Sequence, residues 1–292
     1  YGLGQWPTTL YKSQWDKQGQ QESEEMKIYF RSKPNEVRAS SLIQMLGRIK
    51  VNKDLPLLDI GCGFGSDLRA AQFFGFKDVT GIESSEHRAR VVEEALKFPV
   101  LRGNFEDIDL PKKRYGVIMH HHVLEHVPNP EQFIEKAAKY QEAGDMMLIA
   151  VPNNAGEPSM GVLMFLPHLH SYTQMSLITL LGRYGYEAYD FLQTNRNDLN
   201  IIAIKRDKPQ GVLTTGGFAR EGAQKIIKGL DLKKTLPSLT KRLVWSVHED
   251  NAKQLYPWQS LKKIKEPRRV FHVKQGIPEM PVRIDVNYLF IK

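Results

Sequence analysis

An apolar run that ends in three alternate glycines constrains this chain more than any other segment. Residues 57–60 have the composition of a buried parallel strand, and Gly61, Gly63 and Gly65 follow directly. Glycines at alternate positions allow a sharp turn and a close approach of the backbone to a ligand. A helical pattern over 66–74 comes next, and a helix start offers free N–H groups to a polar or anionic group. The segment predicts a strand, a turn and a helix that bind a ligand at the turn.

The next acidic residue indicates what that ligand is. A second apolar strand, predicted near 78–82, ends at Glu83, which lies 22 residues after Gly61. An acidic side chain at this spacing is placed to accept hydrogen bonds from the two hydroxyl groups of a ribose. We therefore predict a site for a nucleoside cofactor. A dinucleotide fingerprint would have its third glycine where Ser66 stands, so a nicotinamide or flavin cofactor is less favoured but left open.

Strand and helix patterns alternate along most of the chain. Strands are predicted near 55–60, 78–82, 99–102, 115–119, 146–151, 186–192 and 199–205, and helices near 66–74, 86–97, 130–141 and 174–184. Repeated strand–helix units predict an α/β fold with a doubly wound, mostly parallel, seven-stranded Rossmann-like sheet. In such a sheet the ligand binds at the carboxyl ends of the strands.

The chain divides into three predicted segments. Residues 1–34 are rich in aromatic and polar side chains and are expected to pack as an arm or lid. Residues 35–206 form the α/β domain, which begins with a helix over 37–49. Residues 207–292 form a basic α+β C-terminal extension. In that extension, helices are predicted near 218–230 and 238–248, and extended segments at 268–273 and 282–291.

Positive charge is concentrated in the extension. Residues 205–292 hold 19 basic and 8 acidic residues, a balance of +11, whereas the remainder holds 22 basic and 25 acidic residues, a balance of −3. This asymmetry favours an anionic partner such as nucleic acid, phospholipid headgroups, a phosphorylated substrate or an acidic protein. Solvated lysines on an appended module are an equally good interpretation.

Composition also limits the cellular setting. No apolar run is long enough to predict a membrane span, and the first fifteen residues have no apolar core of a secretory signal. Cys62 is the single cysteine, so no internal disulfide can form. A reducing compartment is expected, and we predict a cytoplasmic protein.

Five segments, in their order, resemble class I S-adenosylmethionine-dependent methyltransferases. They are LLDIGCGFG, VTGIES, RGNFEDIDL, YGVIMHHHVLEHVPNP and MMLIAVPN. The branch that they resemble most contains the ubiquinone-biosynthesis O-methyltransferases, and residues 168–173 resemble a His-containing loop that closes over the substrate in that branch. The resemblance covers roughly residues 35–206. It implies S-adenosylmethionine as the cofactor and a small molecule as the acceptor.

The resemblance also implies which residues bind the cofactor. They are Asp59, Gly61, Gly63, Gly65, Glu83, Asn104, Phe105 and His120. Asp59 would order the glycine turn and reach the methionine ammonium group, and Glu83 would bind the ribose. Asn104 stands where the family usually has Asp near the adenine amino group, and an amide oxygen can still accept that hydrogen bond. His120 would fall just past the fourth strand, near the methionine portion.

A group of histidines supplies candidates for a general base. His121 would lie beside the methyl donor, and His168 and His170 lie on the predicted lid loop at 152–172; these three are favoured, and His122 is a further candidate. Histidine suits this role because its ordinary pKa near 6.5 leaves it mostly neutral at physiological pH. A positioned base typically contributes about 10²–10⁴-fold to the rate.

The same segment raises the question of a metal. Residues 122–126 formally spell an H-x-x-E-H zinc pattern, but the prolines that follow would end the helix that such a site needs. Ubiquinone-type O-methyltransferases can carry carboxylate and His ligands in this turn. Glu125 and His126 match two of those places, whereas His122 replaces the expected Glu. Because hard cations prefer oxygen ligands, a divalent metal is left open but not favoured.

The leading hypothesis is a methyltransferase that moves the methyl group of S-adenosylmethionine to an oxygen of a sugar, phenol or lipid-linked acceptor by in-line displacement. The acceptor would lie between the 152–172 loop, the N-terminal arm and the histidine turn at residues 120–126. A first alternative is a nucleic-acid or protein methyltransferase docked by the basic extension. A second is a catalytically silent, methyltransferase-like assembly subunit.

Overall fold

The computed structural model describes residues 6–33, 36–153, 168–193, 198–207 and 269–272. Its helices and strands are, in chain order, α1 (Trp6–Ser32), β1 (Glu36–Ala39), α2 (Ser41–Gln44), β2 (Leu57–Ile60), α3 (Ser66–Phe73), β3 (Val79–Glu83), α4 (Glu86–Val91), β4 (Val100–Arg102), β5 (Val117–His121), α5 (Pro130–Ala138), β6 (Met146–Pro152), α6 (Gln174–Arg183), β7 (Tyr186–Gln193), β8 (Asp198–Lys205) and β9 (Arg269–His272). Short 3₁₀ turns follow α2 and β4, and a π-helical turn follows α4. Within the described residues, no helix is both long and apolar enough to cross a bilayer.

Seven strands form one sheet in the order β4-β3-β2-β5-β6-β8-β7. The strands β2 to β6 pair in parallel, and β8 pairs antiparallel with both β6 and β7. This topology confirms the predicted doubly wound, mostly parallel sheet of seven strands. The direction of winding reverses between β2 and β5, so a ligand is expected outside the carboxyl ends of these two strands.

Helices cover both faces of the sheet, and the strands are buried accordingly. On one face Leu58 and Ile118 pack in a cluster with Phe133 of α5. On the other face Leu57 packs with Leu68 of α3. Each fully buried side chain of this size stabilises the fold by about 1.5–3 kcal/mol. The central strands are therefore a rigid base for the residues at their carboxyl ends.

The predicted helix over 37–49 is wrong in its first four residues. Residues 36–39 form β1, in which Val37 and Ala39 are both buried. The helix begins only after Ser40, whose Oγ accepts a hydrogen bond from the backbone N–H of Ile43. The sequence pattern misled because the apolar residues of a short strand and of the following helical turn together imitate one helical stripe.

The segments flanking the domain both pack against it. The predicted arm contains α1, whose Gly19 lies so close to α4 that a Cβ would be 2.6 Å from Oγ of Ser85. In the predicted extension, β9 pairs antiparallel with β1, with Ala39 opposite Arg269. The helices predicted near 218–230 and 238–248 and the segment 282–291 lie outside the described residues. The two boundaries between these three segments and the lid role of the arm stay predictions.

Candidate active site

The glycine turn between β2 and α3 has a backbone that few other residues could adopt. Gly61, Gly63 and Gly65 have φ values of +73°, +56° and +77°. A Cβ on Gly61 would lie 2.5 Å from Cγ2 of Val123, which follows β5. At Gly63, in contrast, a Cβ would have no heavy atom within 4 Å. Gly61 lets the turn pack against the end of β5, and Gly63 borders an open space that a ligand can enter.

The carboxylate of Glu83 holds the glycine turn from the neighbouring strand. One oxygen accepts a hydrogen bond from the backbone N–H of Gly63 at 2.8 Å, and the other accepts from the N–H of Ser85 at 2.8 Å. The residue is 5% exposed. Each carboxylate oxygen has a second lone pair, so both hydrogen bonds leave acceptor capacity on Glu83. Its predicted role as the ribose acceptor stays a prediction, and the structure places it beside the open space at Gly63.

Asp59 is a buried carboxyl group in β2, one residue before the end of the strand. Burial raises the pKa of its carboxyl group well above the ordinary value, and the negative charges of Asp67 and Glu83 raise it further. A positively charged ligand nearby would favour ionised Asp59. The sulfonium and ammonium groups implied by the resemblance are charges of this kind.

The predicted adenine contacts lie after β4. The side-chain N–H₂ of Asn104 donates to a carboxylate oxygen of Asp107 at 3.0 Å, so its amide oxygen is the atom suited to an amino group. The ring of Phe105 is 2% exposed and packs edge-on against Phe133, with centroids 4.7 Å apart. Only the backbone of Phe105 could therefore meet a cofactor.

His120 is not past the fourth strand of the sequence, as predicted, but inside it. The strand β5 extends to residue 121, because His120 pairs in register with Ile60 and Ile149. Its ring is fully buried against Phe133, and burial lowers its pKa to about 4. Neither ring nitrogen has a hydrogen-bond partner within the described part of the chain. His120 is therefore a neutral core residue, and only its backbone could serve the predicted cofactor contact.

His121 ends β5 beside the glycine turn. Its side chain is 30% exposed, and Nδ1 lies 3.9 Å from Oδ2 of Asp67 in the first turn of α3. Asp67 is fixed by Ser40, whose backbone N–H and hydroxyl donate to it at 2.9 and 2.5 Å. Sequence reasoning missed Asp67, although an acidic residue two positions after Gly65 in a helix's first turn was a usable signal.

His122 begins the turn after β5 and contacts two carboxylates. Its Nδ1 lies 3.0 Å from Oε1 of Glu125, and its Nε2 lies 3.5 Å from Oδ2 of Asp198 at the start of β8. Burial alone would lower the pKa of His122, but pairing with Asp198 and Glu125 outweighs it and raises the pKa to about 10. Burial would likewise raise the pKa of Glu125, but His122 lowers it to about 2. Sequence reasoning missed Asp198, because nothing local links it to the histidines.

The other two favoured bases lie close to the same turn. The ring of His168 packs edge-on against that of His126, with centroids 4.9 Å apart. The backbone N–H groups of Leu169 and His170 donate to the backbone oxygen of Glu125 at 2.8 and 3.1 Å. The structure thus brings the predicted lid-loop histidines to the turn that carries His122.

The predicted lid loop is described only at its two ends. Asn153 and Tyr172 form an isolated bridge, and the hydroxyl of Tyr172 donates to the backbone oxygen of Leu124 at 3.2 Å. Residues 154–167, with most of the predicted lid, lie outside the described residues. The loop therefore leaves and returns at the histidine turn.

Two groups of side chains in this region have the residue types and spacing of cation ligands. One group contains His121, His122 and Asp198, and the other contains Glu125, His126 and His168. Within each group the candidate ligand atoms lie within 4.8 Å of one another. Residue types and distances alone therefore do not decide between metal binding and hydrogen bonding here.

Comparisons with known proteins identify the family of this chain. A family model of the methyltransferase domain matches residues 30–190. A ubiquinone biosynthesis O-methyltransferase from Rickettsia conorii is 32% identical over 103 residues, which cover 34% of this chain and 35% of that protein. A probable S-adenosylmethionine-dependent methyltransferase from Mycolicibacterium smegmatis is 26% identical over 142 residues, covering 47% of this chain and 53% of that protein.

Among solved structures, a putative S-adenosylmethionine-dependent methyltransferase from Listeria monocytogenes superimposes with a TM-score of 0.46 and 18% identity, covering 56% of this chain and 97% of that one. The chain spans about a third to a half of the length of the curated relatives it matches. The family model, in contrast, covers more than half of this chain, including the glycine turn, Glu83 and the histidine turn. The chain therefore belongs to the methyltransferase domain family, whose methyl donor is S-adenosylmethionine, as the sequence resemblance predicted.

Proposed function

We propose that this protein transfers the methyl group of S-adenosylmethionine to an oxygen atom of a small-molecule acceptor. The observation that carries the proposal is the position of His121, which ends β5 at the point where the winding of the sheet reverses. An imidazole at this place can remove the proton of a hydroxyl group, as oxygen acceptors require. Relatives named as ubiquinone biosynthesis O-methyltransferases support an oxygen acceptor.

The residues around the glycine turn fit the proposed cofactor. The open space at Gly63 admits a ligand close to the backbone, and Glu83 beside it has acceptor capacity for two ribose hydroxyl groups. Asp59 supplies a buried carboxyl group that a cationic ligand would keep ionised. S-adenosylmethionine supplies an activated methyl group when bound. The chain's own task is then to place the acceptor oxygen in line with that group and to take its proton.

His121 is the residue that we assign to proton removal. Asp67 lies on the Nδ1 side of its ring and orients it, so Nε2 is the atom that we assign as the acceptor of the hydroxyl proton. Alignment of two bound reactants can contribute about 7–11 kcal/mol, and a positioned base adds about 10²–10⁴-fold. In our proposal His168 and His170, which lie close to the same turn, orient the acceptor.

Two measurements test the proposal. Isothermal titration with S-adenosylmethionine should show binding, and incubation with sugars, phenols and lipid-linked phenols should yield an O-methylated product by mass spectrometry. The variant His121→Gln should lower turnover at neutral pH by about 10²–10⁴-fold while its cofactor affinity stays unchanged. Lys139→Gln, which changes an exposed side chain at the C-terminal end of α5, is the control and should change neither quantity.

Other outcomes would select the alternatives. Unchanged turnover in His121→Gln would refute the assignment of the base. Methylation of RNA, with an affinity that falls steeply with salt, would favour the nucleic-acid alternative that the +11 charge of residues 205–292 suggests. Failure to bind S-adenosylmethionine would leave the silent assembly subunit.

A further inference from the structure

We propose that the imidazole ring of His122, held between the carboxylates of Glu125 and Asp198, is the permanent cation of the histidine turn, so that neither candidate ligand group takes a divalent metal ion. The carboxylates come from different elements, since Glu125 lies in the turn after β5 and Asp198 begins β8. His122 is then a positioning residue, which ties the turn to the antiparallel part of the sheet.

The geometry places a carboxylate oxygen opposite each ring nitrogen of His122. Nδ1 faces Oε1 of Glu125 at 3.0 Å, and Nε2 faces Oδ2 of Asp198 at 3.5 Å. An ionised carboxylate only accepts hydrogen bonds, so a ring between two of them is satisfied on both sides only as imidazolium. Both carboxylates are almost completely buried, with exposures of 1% and 6%. Buried carboxylates need a positive partner, and His122 meets this need for both.

The backbone at His122 supports the same conclusion. Its φ of +54° lies in the left-handed region, which few residues other than glycine adopt without strain. The surrounding structure must therefore hold it there, and the two carboxylate contacts, with the hydrogen bond from its N–H to the backbone oxygen of Ala150 at 2.9 Å, do so.

A divalent cation would have to compete with this arrangement in either group. Metal ligation needs the lone pair of a neutral imidazole, so a metal in the group of His121, His122 and Asp198 must first displace the proton of His122. The group of Glu125, His126 and His168 has Glu125 as its one carboxylate, and that charge is already paired with His122. A second cation there would be repelled by the imidazolium. The imidazolium of His122 thus supplies the positive charge that a metal ion would otherwise bring to these carboxylates.

Charged groups from every neighbouring element enter this balance. Glu125 also lies 3.8 Å from Nε2 of His126, and the ring of His121 lies 4.7 Å from that of His122. The charge of His168 acts on Glu125 as well. His122 faces both carboxylates through its two ring nitrogens, so it is the counter-charge that they share.

The protonation of the ring is the first test. Long-range proton–nitrogen NMR correlations of the full chain, recorded at about pH 8.5, which is about two units above the ordinary pKa of histidine, should show both nitrogens of His122 protonated. A neutral ring at this pH would overturn the proposal. Because the measurement uses the unaltered protein, it does not depend on whether any variant folds.

Metal binding is the second test. Metal-free protein titrated with Mn²⁺ and followed by electron paramagnetic resonance should bind the ion at least about tenfold more weakly than the variant His122→Glu, which offers two carboxylates in the turn. The control Lys139→Glu makes the same change of charge on an exposed helix end and should bind like the unaltered chain. Equal binding by the unaltered chain and His122→Glu would overturn the proposal.

The inference and the proposed function fail separately. Absence of cofactor binding would refute the methyltransferase activity but would not alter the protonation of His122 or its effect on Mn²⁺ binding. A neutral ring or tight Mn²⁺ binding would refute the inference, while product formation would still be measured with S-adenosylmethionine and an acceptor.

Discussion

A methyl group added at Gly63 should separate cofactor binding from stability. The backbone there has a φ of +56°, and a Cβ would have no heavy atom within 4 Å, so Gly63→Ala changes the protein's own packing little. The methyl group would instead project into the space that we assign to the cofactor. We therefore expect a modest loss of stability and a large loss of affinity for S-adenosylmethionine.

The two losses have different physical origins. A non-glycine residue in the left-handed region costs about 1–2 kcal/mol, which lowers the melting temperature by roughly 2–8 °C for a domain of this size. Overfilling of a packed site costs about 1–3 kcal/mol, so cofactor affinity should fall by about 5-fold to 150-fold. Gly144→Ala is the matched control, because its φ is +92° and its Cβ would also meet nothing within 4 Å. Gly144 precedes the amino end of β6, whereas the glycine turn follows the carboxyl end of β2.

A third variant calibrates the steric effect. In Gly61→Ala the new Cβ would lie 2.5 Å from Val123, so it should lose about 1–3 kcal/mol of stability beyond the loss in Gly144→Ala. Chemical denaturation gives the free energies of unfolding, and isothermal titration gives the affinities. If Gly63→Ala binds S-adenosylmethionine as tightly as Gly144→Ala does, the space at Gly63 is not the cofactor site and the reasoning is refuted.

Three further perturbations follow from the same structure. Asp59→Asn should weaken cofactor binding about tenfold to hundredfold in calorimetry, because a hydrogen bond to a charged group is lost. Because the pKa of Asp59 is raised, the unaltered protein should also lose stability relative to this variant as the pH rises from acid to neutral. The same change of unfolding free energy with pH in both proteins would contradict this. The raised pKa of His122 stabilises the fold, and His122→Asn should remove this stabilisation, which is fully present below pH 6.5 and is lost as the pH rises toward about 10. The difference in free energy of unfolding between the two proteins should shrink by up to about 1.4 kcal/mol per pH unit over that range. A difference that does not change with pH in chemical denaturation would contradict this. Gly19→Val should push α1 away from Ser85 and so speed the cleavage of α1 by chymotrypsin. Gln20→Val, on the exposed side of the same helix, should leave the rate of cleavage unchanged.

The fold could be predicted because its signals are local. Buried parallel strands such as β2 and β3 are short apolar runs, and each is followed by a turn and a helix whose periodicity is visible in the sequence. The prediction failed at β1, where four residues are too few to show a period of their own. That strand exists through its pairing with β9, more than two hundred residues away, and no local pattern announces such a partner.

The same distinction holds for the candidate site. The glycine turn and Glu83 were predictable because ligand, turn and strand end are linked by a fixed spacing along the chain. Asp198 was not, because it reaches His122 only through the antiparallel register that sets it opposite Pro152. Asp67 stands between these cases, since its place in the first turn of α3 is local but its contact with His121 depends on the neighbouring strand.

Three consecutive histidines at the end of β5 show how the environment, and not the residue type, assigns the chemistry. Strand alternation turns His120 into the apolar core, where burial lowers its pKa to about 4 and keeps it neutral. The left-handed backbone at His122 ends the strand and places that ring between two buried carboxylates, which raise its pKa to about 10 and keep it charged. His121, between them, is 30% exposed, and its Nδ1 lies 3.9 Å from Oδ2 of Asp67. A partly exposed ring can reach an acceptor hydroxyl and pass its proton on to solvent, and this is the physical reason for our proposal that His121 removes the proton.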